Sequence, residues 1–569
     1  MRLLFIIAFF ISVGMVSGQS IVQSEILSRP TDKSVSVRLF FDSKTEIFAQ
    51  YGTTSQALNQ NTATKTIEAN EPCDIVIDNL TPNTRYYYRI AYRSPVNGDW
   101  KYRPVYTFHT QRALGSSYTF VVQADPHLDE QSDTAVYRRC LQNQLDDQPD
   151  FIIDMGDIIM TDKLKNANGK ITKDTITSRC KYTRSFYEAT CHSAPLFITL
   201  GNHEGEAGWV LNGGADNTAV IGTLERKKYY ANPVPDNFYT GDDTDHPLVG
   251  IRENYYAWTW GDVLFVVLDP YWYTTSKPDA NTGWKWTLGK KQYDWLKQTL
   301  ENDHSLYTFV FCHQLVGGDP LGRGGIEFAD WYEWGGNNQD GSYGFTANRP
   351  GWYKPIKELL KENKVNIFFH GHDHFFGKQE KDCLIYQECP QPSHKSFQNA
   401  NQATEYGYVS GQILPNSGHL RINVSPNDVK VEYVRAYSAV NETPTRKNKD
   451  IAATYFIQPN SCYDTLSNSP SILWNGDYMD ELIYPNPFQE QTKISFTLEK
   501  SQKINVDIYD LSGRKIKKLV QNSLLSPEKY EIIWEGTDDN GNIVQPGTYF
   551  YRITDEANNI SSGQIIKYK

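Results

Sequence analysis

Five short apolar runs in the middle of the chain end in residues that can ligate metals. Tyr118–Gln123 runs into Ala124-Asp125-Pro126-His127, and Phe151–Met155 into Gly156-Asp157. Leu196–Leu200 runs into Gly201-Asn202-His203-Glu204, Tyr307–Cys312 into His313, and Val365–Phe369 into His370-Gly371-His372-Asp373-His374. Carboxylate oxygens and imidazole nitrogens in this mixture suit Fe, Mn, Zn or Co. Two such ions, held about 3.5–4 Å apart by a shared carboxylate, polarise a phosphoryl oxygen and lower the pKa of a bound water toward about 7. No serine or cysteine nucleophile is then needed. Any one of these histidines alone would as readily be structural; the weight lies in five motifs, each closing an apolar run. His370 stands ahead of the glycine and reads as a core or supporting residue, and Asp154 and Asp269 as supporting carboxylates near strand ends. His109, His192, His246, His304, His394 and His419 fit no motif.

The runs are β-branched and aromatic, and polar helix-like segments such as Thr134–Leu145 separate them. Val263–Leu268 is a further run of this kind. Such runs, bounded by turns, are buried sheet strands, and their alternation with helices is an α/β layout. Open α/β sheets gather ligands at the carboxyl ends of their strands, which would bring the donors to one rim. Residues 408–459 return to strands, including Leu420–Val424 and Val429–Tyr433, and are expected to finish a second sheet. The loops 205–245, 271–289 and 314–352 are long and hold Trp209, Trp272, Trp284, Trp286, Trp331, Trp334 and Trp352. Long loops at a functional rim carry specificity; these rings either stack on a nucleobase or sugar or form small cores beneath the loops. Arg226 and Arg323, in the same loops, are candidate phosphate clamps.

The order D-x-H, G-D, G-N-H-E, H, G-H-x-H resembles that of the calcineurin-like metallophosphoesterases, over roughly residues 117–459. The resemblance implies a layered αββα sandwich, an α/β fold here flanked by two all-β sandwiches. It implies one metal on Asp125, His127, Asp157 and His374 and another on Asp157, Asn202, His313 and His372. His203 would stabilise the transition state or protonate the leaving oxygen, and Glu204 would orient His203 through a hydrogen bond. The implied activity is hydrolysis of small phosphate esters, foremost monoesters. Diesterase or nucleotidase action at the same site is the alternative, and a surface binding protein on a degenerate phosphatase fold is the alternative of another class.

Residues 19–112 alternate as strands and contain Leu80-Thr81-Pro82-Asn83-Thr84-Arg85-Tyr86, the sequence form of a tyrosine corner. This segment resembles a fibronectin type III sandwich and, by its position, the N-terminal domain of purple acid phosphatases. It is expected to pack against the catalytic domain and shape its rim. Purple acid phosphatases, however, carry D-x-G in the first motif and a tyrosine three residues after the G-D aspartate. Here those positions are His127 and Met160, so no tyrosinate chromophore is expected. Two divalent or mixed-valence ions of Fe, Mn or Zn all remain compatible.

The ends concern export. Residues 1–18 have Arg2, an apolar run Leu3–Val13 too short to anchor in a bilayer, and Val16 and Gly18 before a cleavage point. This is a secretory signal peptide. No other stretch reaches spanning length, so no transmembrane helix is expected in the mature form. Export permits disulfides; Cys180/Cys191 and Cys383/Cys389 are the plausible pairs by proximity, and Cys312 reads as a buried thiol. Residues 460–482 are a polar linker, and 483–569 show short strands with Asn-Gly and Pro-Gly turns, a small β-sandwich. Asp538-Asp539-Asn540-Gly541 reads as a hairpin turn rather than a calcium loop. Tyr484-Pro485-Asn486-Pro487-Phe488, Asp510-Leu511-Ser512-Gly513-Arg514 and Pro546-Gly547-Thr548-Tyr549-Phe550-Tyr551-Arg552 resemble the C-terminal sorting domain of type IX secretion substrates. That implies a Bacteroidetes-type bacterium, passage through the periplasm to the cell surface or medium, the type IX machinery as partner, and removal of this domain on arrival.

With 56 Lys and Arg against 67 Asp and Glu, the net charge is −11. That argues against a nucleic-acid binder, which needs a basic surface. Hydrophobic residues at 39% and charged residues at 22% allow a sizeable core. Aromatics at 13% fit β-rich domains and aromatic-lined pockets. At about 150 residues per domain, the 569 residues allow roughly four domains; the patterns resolve three.

Overall fold

Burial with a period of two along the strands sets the layers of the central domain. In β1 (Tyr118–Gln123), Phe120 and Val122 belong to one apolar cluster and Val121 to another. In β2 (Ile152–Asp154) and β3 (Leu196–Ile198), Ile153 and Phe197 join the first cluster, while Ile152, Leu196 and Ile198 join the second. Successive side chains leave opposite faces of a strand, so one set meets a facing sheet and the other meets helices. The remaining strands are β4 (Tyr256–Trp260), β5 (Val263–Val267), β6 (Tyr307–Phe311), β7 (Ile367–His370), β8 (Phe376–Lys381), β9 (Leu384–Glu388), β10 (Gln412–Leu414), β11 (Gly418–Val424), β12 (Val429–Arg435) and β13 (Ile451–Ile457). This computed structural model describes residues 20–459 except 97, and 482–568 except 487, 499, 511, 512 and 557–559. The signal peptide and nearly all of the linker lie outside the described residues.

One sheet has the order β3-β2-β1-β11-β12-β13; the other runs from Thr240–Gly241 through β4-β5-β6-β7-β9-β8-β10. β1, β2 and β3 are parallel, as are β5, β6, β7 and β9. The interior between the sheets is largely aromatic: Phe197 stacks on Trp258 at 4.2 Å and Phe311 on Phe369 at 4.8 Å. The second cluster joins Val121, Ile152, Leu264 and Val310 to helices, of which α2 (Lys173–Tyr187) supplies Ile176 and Tyr187. α4 (Lys290–Glu301) supplies Leu296 to it and α5 (Ile356–Glu362) supplies Leu359. α1 (Thr134–Asp146) is capped by Asp133, which accepts the Ala135 and Val136 N–H groups, and α3 (Thr218–Tyr229) by Asn217. The layers are thus helix, sheet, sheet, helix. Strands β11–β13 do not finish the second sheet: Leu420–Val424 pairs antiparallel with Tyr118–Val122 and widens the first.

Residues 20–112 form two packed sheets. One has Ile21–Ser28, Val35–Phe41 and Cys73–Ile77; the other is centred on Thr45–Gly52 and Arg85–Arg93. Their facing sides bury Val35, Val37, Leu39, Ile47, Ile75 and Tyr88. The Tyr86 hydroxyl accepts the Thr81 N–H at 2.9 Å, the bond of a tyrosine corner. The domain packs on α2 and α3: Arg184, wholly buried, donates to the carbonyls of Ser24 and Arg38 at 2.7 Å each, and Phe40 stacks on Tyr229 at 5.0 Å. Leu27 N–H and the Tyr88 hydroxyl donate to the carbonyls of Cys191 and His192.

A second unit begins at Cys462. It too has two sheets, one of Leu482–Tyr484, Thr492–Thr497 and Lys529–Trp534, the other ordered Lys515–Leu525, Gln502–Asp510, Gly547–Asp555, Ile560–Lys567. Phe496, Val506, Ile508, Trp534 and Tyr551 fill its core. Asp538 holds a tight turn by accepting the Asn540 and Asn542 N–H groups at 2.9 Å, with Gly541 at φ +82°.

Candidate metal centre

Every motif residue sits just past the end of a strand: Asp125 and His127 after β1, Asp157 after β2, Asn202, His203 and Glu204 after β3, His313 after β6, and His372 and His374 after β7. Both sheets therefore feed one rim. The backbone there is unusual. Asp125, His127, Asp157, His372 and His374 all have φ between +45° and +76°, the left-handed region that side chains avoid. Each such residue stores about 1–3 kcal/mol that the surrounding fold must offset. The motif glycines have a steric reason: a Cβ on Gly201 would collide with the Asp157 carboxylate, and one on Gly371 would lie 2.5 Å from Asp125 Oδ2.

Two groups of donors converge. Asp125, His127 and His374 form one, and Asp157, His313 and His372 the other. His374 Nε2 lies 3.4 Å and His127 Nε2 3.7 Å from Asp125 Oδ1. Asp157 Oδ2 lies 3.3 Å from His313 Nε2 and 3.6 Å from His127 Nε2, so it faces both groups. Asn202 Oδ1 is 3.1 Å from His313 Nε2. Neighbouring groups aim these atoms. His313 Nδ1 bonds the Met155 carbonyl at 2.7 Å, which turns Nε2 inward. Asp157 Oδ1 accepts the His203 N–H at 2.7 Å and Asp125 Oδ2 the His372 N–H at 2.9 Å, which leaves the other oxygen of each carboxylate for the centre.

The donor set fits cations. Asp125 Oδ1, His127 Nε2 and His372 Nε2 are buried polar atoms with no hydrogen-bond partner, a state that is costly unless something else binds them. Burial opposes protonation of His313, yet Asp157 and Asp125 raise it to about 9; the same balance raises His127. The carboxylates thus attract positive charge at this point, which a metal ion meets as well as a proton does. Burial and Arg323 lower His372, and burial lowers His374, favouring the neutral imidazole that ligation requires.

Several residues outside the motifs complete the site. His203 Nδ1 is 2.6 Å from Asp162 Oδ1, and its Nε2 lies 4.0 Å from Asp157 Oδ2. His127 Nδ1 lies 3.4 Å from Asp129 Oδ2, and Arg179 donates to the carbonyls of His127, Leu128 and Ile159. His370 is buried, with Nδ1 2.8 Å from Glu388 Oε2, while Glu388 Oε1 accepts the Asp373 and His374 N–H groups. Asp154 accepts from Gln123, Tyr187 and Gly156 beneath the site, and Asp269 accepts from Asn254 and Tyr271. Asp162 lies in the same loop as Asp157, so its nearness to the site was open to sequence reading; Glu388 and Arg179 had no such cue.

Some expectations are corrected. Glu204 does not orient His203. Its carboxylate accepts the N–H groups of Asp157, Ile158, Ile159 and Gly201 and so holds the turn that carries Asp157. Asp162 is the carboxylate on His203. Arg226 is no phosphate clamp: it is 1% exposed and paired with Glu206 at 2.5 Å. Arg323 donates to the His372 carbonyl at 2.7 Å and Asp373 Oδ1 at 3.0 Å, and lies over the Tyr406 ring, so it braces the His372 turn. Cys180 and Cys191 are free buried thiols, and Cys389 is free while Cys383 is disulfide-bonded, so neither expected pair forms. Cys312 is a free buried thiol.

A cavity of about 240 Å³ adjoins Asn202, His203 and His372. Of the loop tryptophans, Trp209 and Trp286 line it, whereas Trp334 is fully buried against Phe368 and Trp284 packs on Tyr332 as a small core. No residue of 20–112 lines it, so the N-terminal domain buttresses the helices and does not shape this rim.

Residues 118–376 match the family model of the calcineurin-like phosphoesterases, residues 26–110 that of the purple acid phosphatase N-terminal domain, and residues 482–567 that of the secretion system C-terminal sorting domain. The fold is similar to that of PhoD, with a TM-score of 0.55 at 16% identity over 79% of this chain and 92% of that one. It is also similar to the purple acid phosphatase PPD1 from yellow lupin (Lupinus luteus) seeds, with a TM-score of 0.50 at 13% identity over 77% and 74% of the two chains. No curated protein sequence matches the chain. No helix among the described residues is long and apolar enough to cross a membrane. The central unit is thus a calcineurin-like phosphoesterase domain, and the chain is a metal-dependent phosphoric ester hydrolase with a purple acid phosphatase N-terminal domain before it and a type IX sorting domain after it.

Proposed function

We propose that the chain is an exported phosphomonoesterase with a binuclear centre of Fe, Mn or Zn. The observation that carries this reading is Asp157 Oδ2, which faces His127 Nε2 at 3.6 Å and His313 Nε2 at 3.3 Å, between the two donor groups. In this reading Asp157 would serve both ions, Asp125, His127 and His374 would complete one set, and Asn202, His313 and His372 would complete the other. Bound ions supply Lewis acidity toward the ester and the attacking water. The water oxygen bonds to phosphorus as the ester P–O bond breaks, and the water gives its proton to solvent. His203, held through Nδ1 by Asp162, presents Nε2 to protonate the departing alcohol oxygen. Alcohol and inorganic phosphate leave. The cavity beside His203 has room for an ester substituent, which is in keeping with the monoester reading.

Residues 1–18 and 483–569 complete the reading: the first directs the chain to the periplasm, and the second passes it to the type IX machinery of a Bacteroidetes-type bacterium for release or display. The charge of −11 supports no nucleic-acid partner.

The test is the purified chain reconstituted with Mn, Zn or Fe, assayed for metal content and for hydrolysis of p-nitrophenyl phosphate and its bis-ester. Two ions per chain and faster monoester turnover are expected. Asp157→Ala should lose metal and activity together. His203→Ala should keep both ions and lose about 10²–10⁴-fold in kcat. A chain that binds no metal and turns over neither ester refutes the reading, and an unchanged kcat in His203→Ala refutes the proton donor.

A further inference from the structure

The cavity beside His203 is asymmetric in its chemistry. One end is polar, formed by Asn202, His203 and His372; Asp125, His127 and His374 do not line it. Trp209, Trp286, Ile171, Val210 and Leu321 give the remainder an apolar wall, interrupted by Thr218, Gln314 and Lys277. We propose that it is a leaving-group pocket for an aromatic alcohol, so that the substrate is the phosphate monoester of an aryl or arylmethyl alcohol. This rests on the phosphoesterase reading above.

Four observations carry it. The leaving oxygen must meet His203 Nε2, because Nδ1 is engaged by Asp162 at 2.6 Å, and His203 forms part of the pocket wall. The alcohol portion then extends along the apolar wall. Trp286 is 5% exposed and its indole N–H is taken by the Pro320 carbonyl at 3.0 Å. It packs edge-to-face against Trp209 at 5.8 Å and 81°, and Tyr271, whose hydroxyl donates to Gln314, packs against both. An aromatic frame in which the Trp286 N–H and the Tyr271 hydroxyl are engaged elsewhere offers ring surface, which aromatic ligands pack against favourably. The volume of about 240 Å³ is ample, since an apolar cavity of about 150 Å³ binds benzene.

Charge narrows the class further. Among the described residues, the only charged lining groups besides the histidines are Asp162, bound to His203, and the exposed Lys277. Arg226 and Arg323 are engaged inside the protein and do not line the cavity. Lys277 is thus the one lysine or arginine in the lining, too little to hold a second and third phosphate, so nucleoside polyphosphates and multiply phosphorylated sugars fit poorly.

The experiment compares benzyl phosphate with methyl phosphate, whose alcohols have nearly the same acidity, on the metal-reconstituted full chain. Calorimetry of benzylphosphonate against methylphosphonate, which are not hydrolysed, gives a readout apart from turnover. A benzyl preference of about ten- to hundredfold in kcat/KM and in affinity is expected. Trp209→Ala should collapse that ratio toward one, and Trp209→Phe should retain most of it. Should Trp209→Ala fail to fold, Leu321→Asp, at a side chain 53% exposed on the rim, should lower the same ratio. Equal handling of the two esters, with equal binding of the two phosphonates, overturns the aromatic pocket and leaves the phosphoesterase reading standing. No turnover of either ester and no phosphonate binding overturns both.

Discussion

Replacing Glu204 tests whether the motif glutamate builds the site or drives its chemistry. Oε2 accepts the N–H groups of Gly201 at 2.5 Å and Asp157 at 2.9 Å; Oε1 accepts those of Ile158 at 2.6 Å and Ile159 at 3.1 Å. The carboxylate is 1% exposed, so water does not substitute for it. Glu204→Gln keeps the shape but leaves one oxygen, and its amide nitrogen must face two backbone donors. Two charge-assisted hydrogen bonds at about 1.5–3 kcal/mol each are lost, so the variant should be less stable by about 3–6 kcal/mol. Because these N–H groups belong to the turn that carries Asp157, metal affinity should fall with stability. Urea unfolding followed by tryptophan fluorescence, with metal content measured in parallel, reads both. If Glu204→Gln unfolds within about 0.5 kcal/mol of the wild type, keeps its metal and loses turnover as His203→Ala does, then Glu204 acts on His203 and the structural reasoning is wrong.

Other expectations follow from neighbouring contacts. Asp162→Asn, at a side chain 58% exposed, should barely change stability while lowering kcat about 10- to 100-fold, because it removes the partner of His203 Nδ1; steady-state kinetics and an unfolding curve separate the two effects. In the N-terminal domain, burial works against the Glu25 carboxylate, but hydrogen bonds from Arg103 and Ser24 outweigh it and lower its pKa. Its stabilisation is therefore full above the unfolded value of about 4.3 and is lost as the pH falls through the lower folded value. Urea midpoints between pH 7 and 3 should show this fall in the wild type and a flatter response in Glu25→Gln. Cys73, Cys140, Cys180, Cys191, Cys312 and Cys389 are free and buried, so mass spectrometry after alkylation without reductant should label them in urea and spare them in the native protein; protection of Cys180 and Cys191 in urea would reinstate their disulfide.

Local pattern carried far in this chain. Tyr118–Gln123 and Tyr307–Phe311 are strands over the residues their apolar runs span, and the helix expected over Thr134–Leu145 runs from Thr134 to Asp146. The tyrosine corner forms as Leu80–Tyr86 implied. Each of these features depends on a period of two or 3.6 residues, or on a few neighbours, and so is written where it acts. The ligand-type residues were legible for the same reason, because each closes its own strand.

What the folded chain alone decided are pairings across long separations. Arg226 looked like a free cation until Glu206 and the carbonyls of Arg252 and Glu253 closed around it. Cys180 and Cys191 are eleven residues apart yet unbonded. Strand β11 joins β1 across some three hundred residues and so assigns the C-terminal strands to the first sheet. The left-handed backbone at Asp125, His127, Asp157, His372 and His374 belongs to this class as well. No local preference favours it; it persists because Glu204, Glu388, Arg179 and the close-set Gly201 and Gly371 over-determine each turn. The sequence by itself determined which residues stand at the strand ends, since strand period and turn chemistry are local. Only the tertiary structure decided which of them face one another and what braces them, because those contacts exist only after two sheets and their helices have closed on a common core.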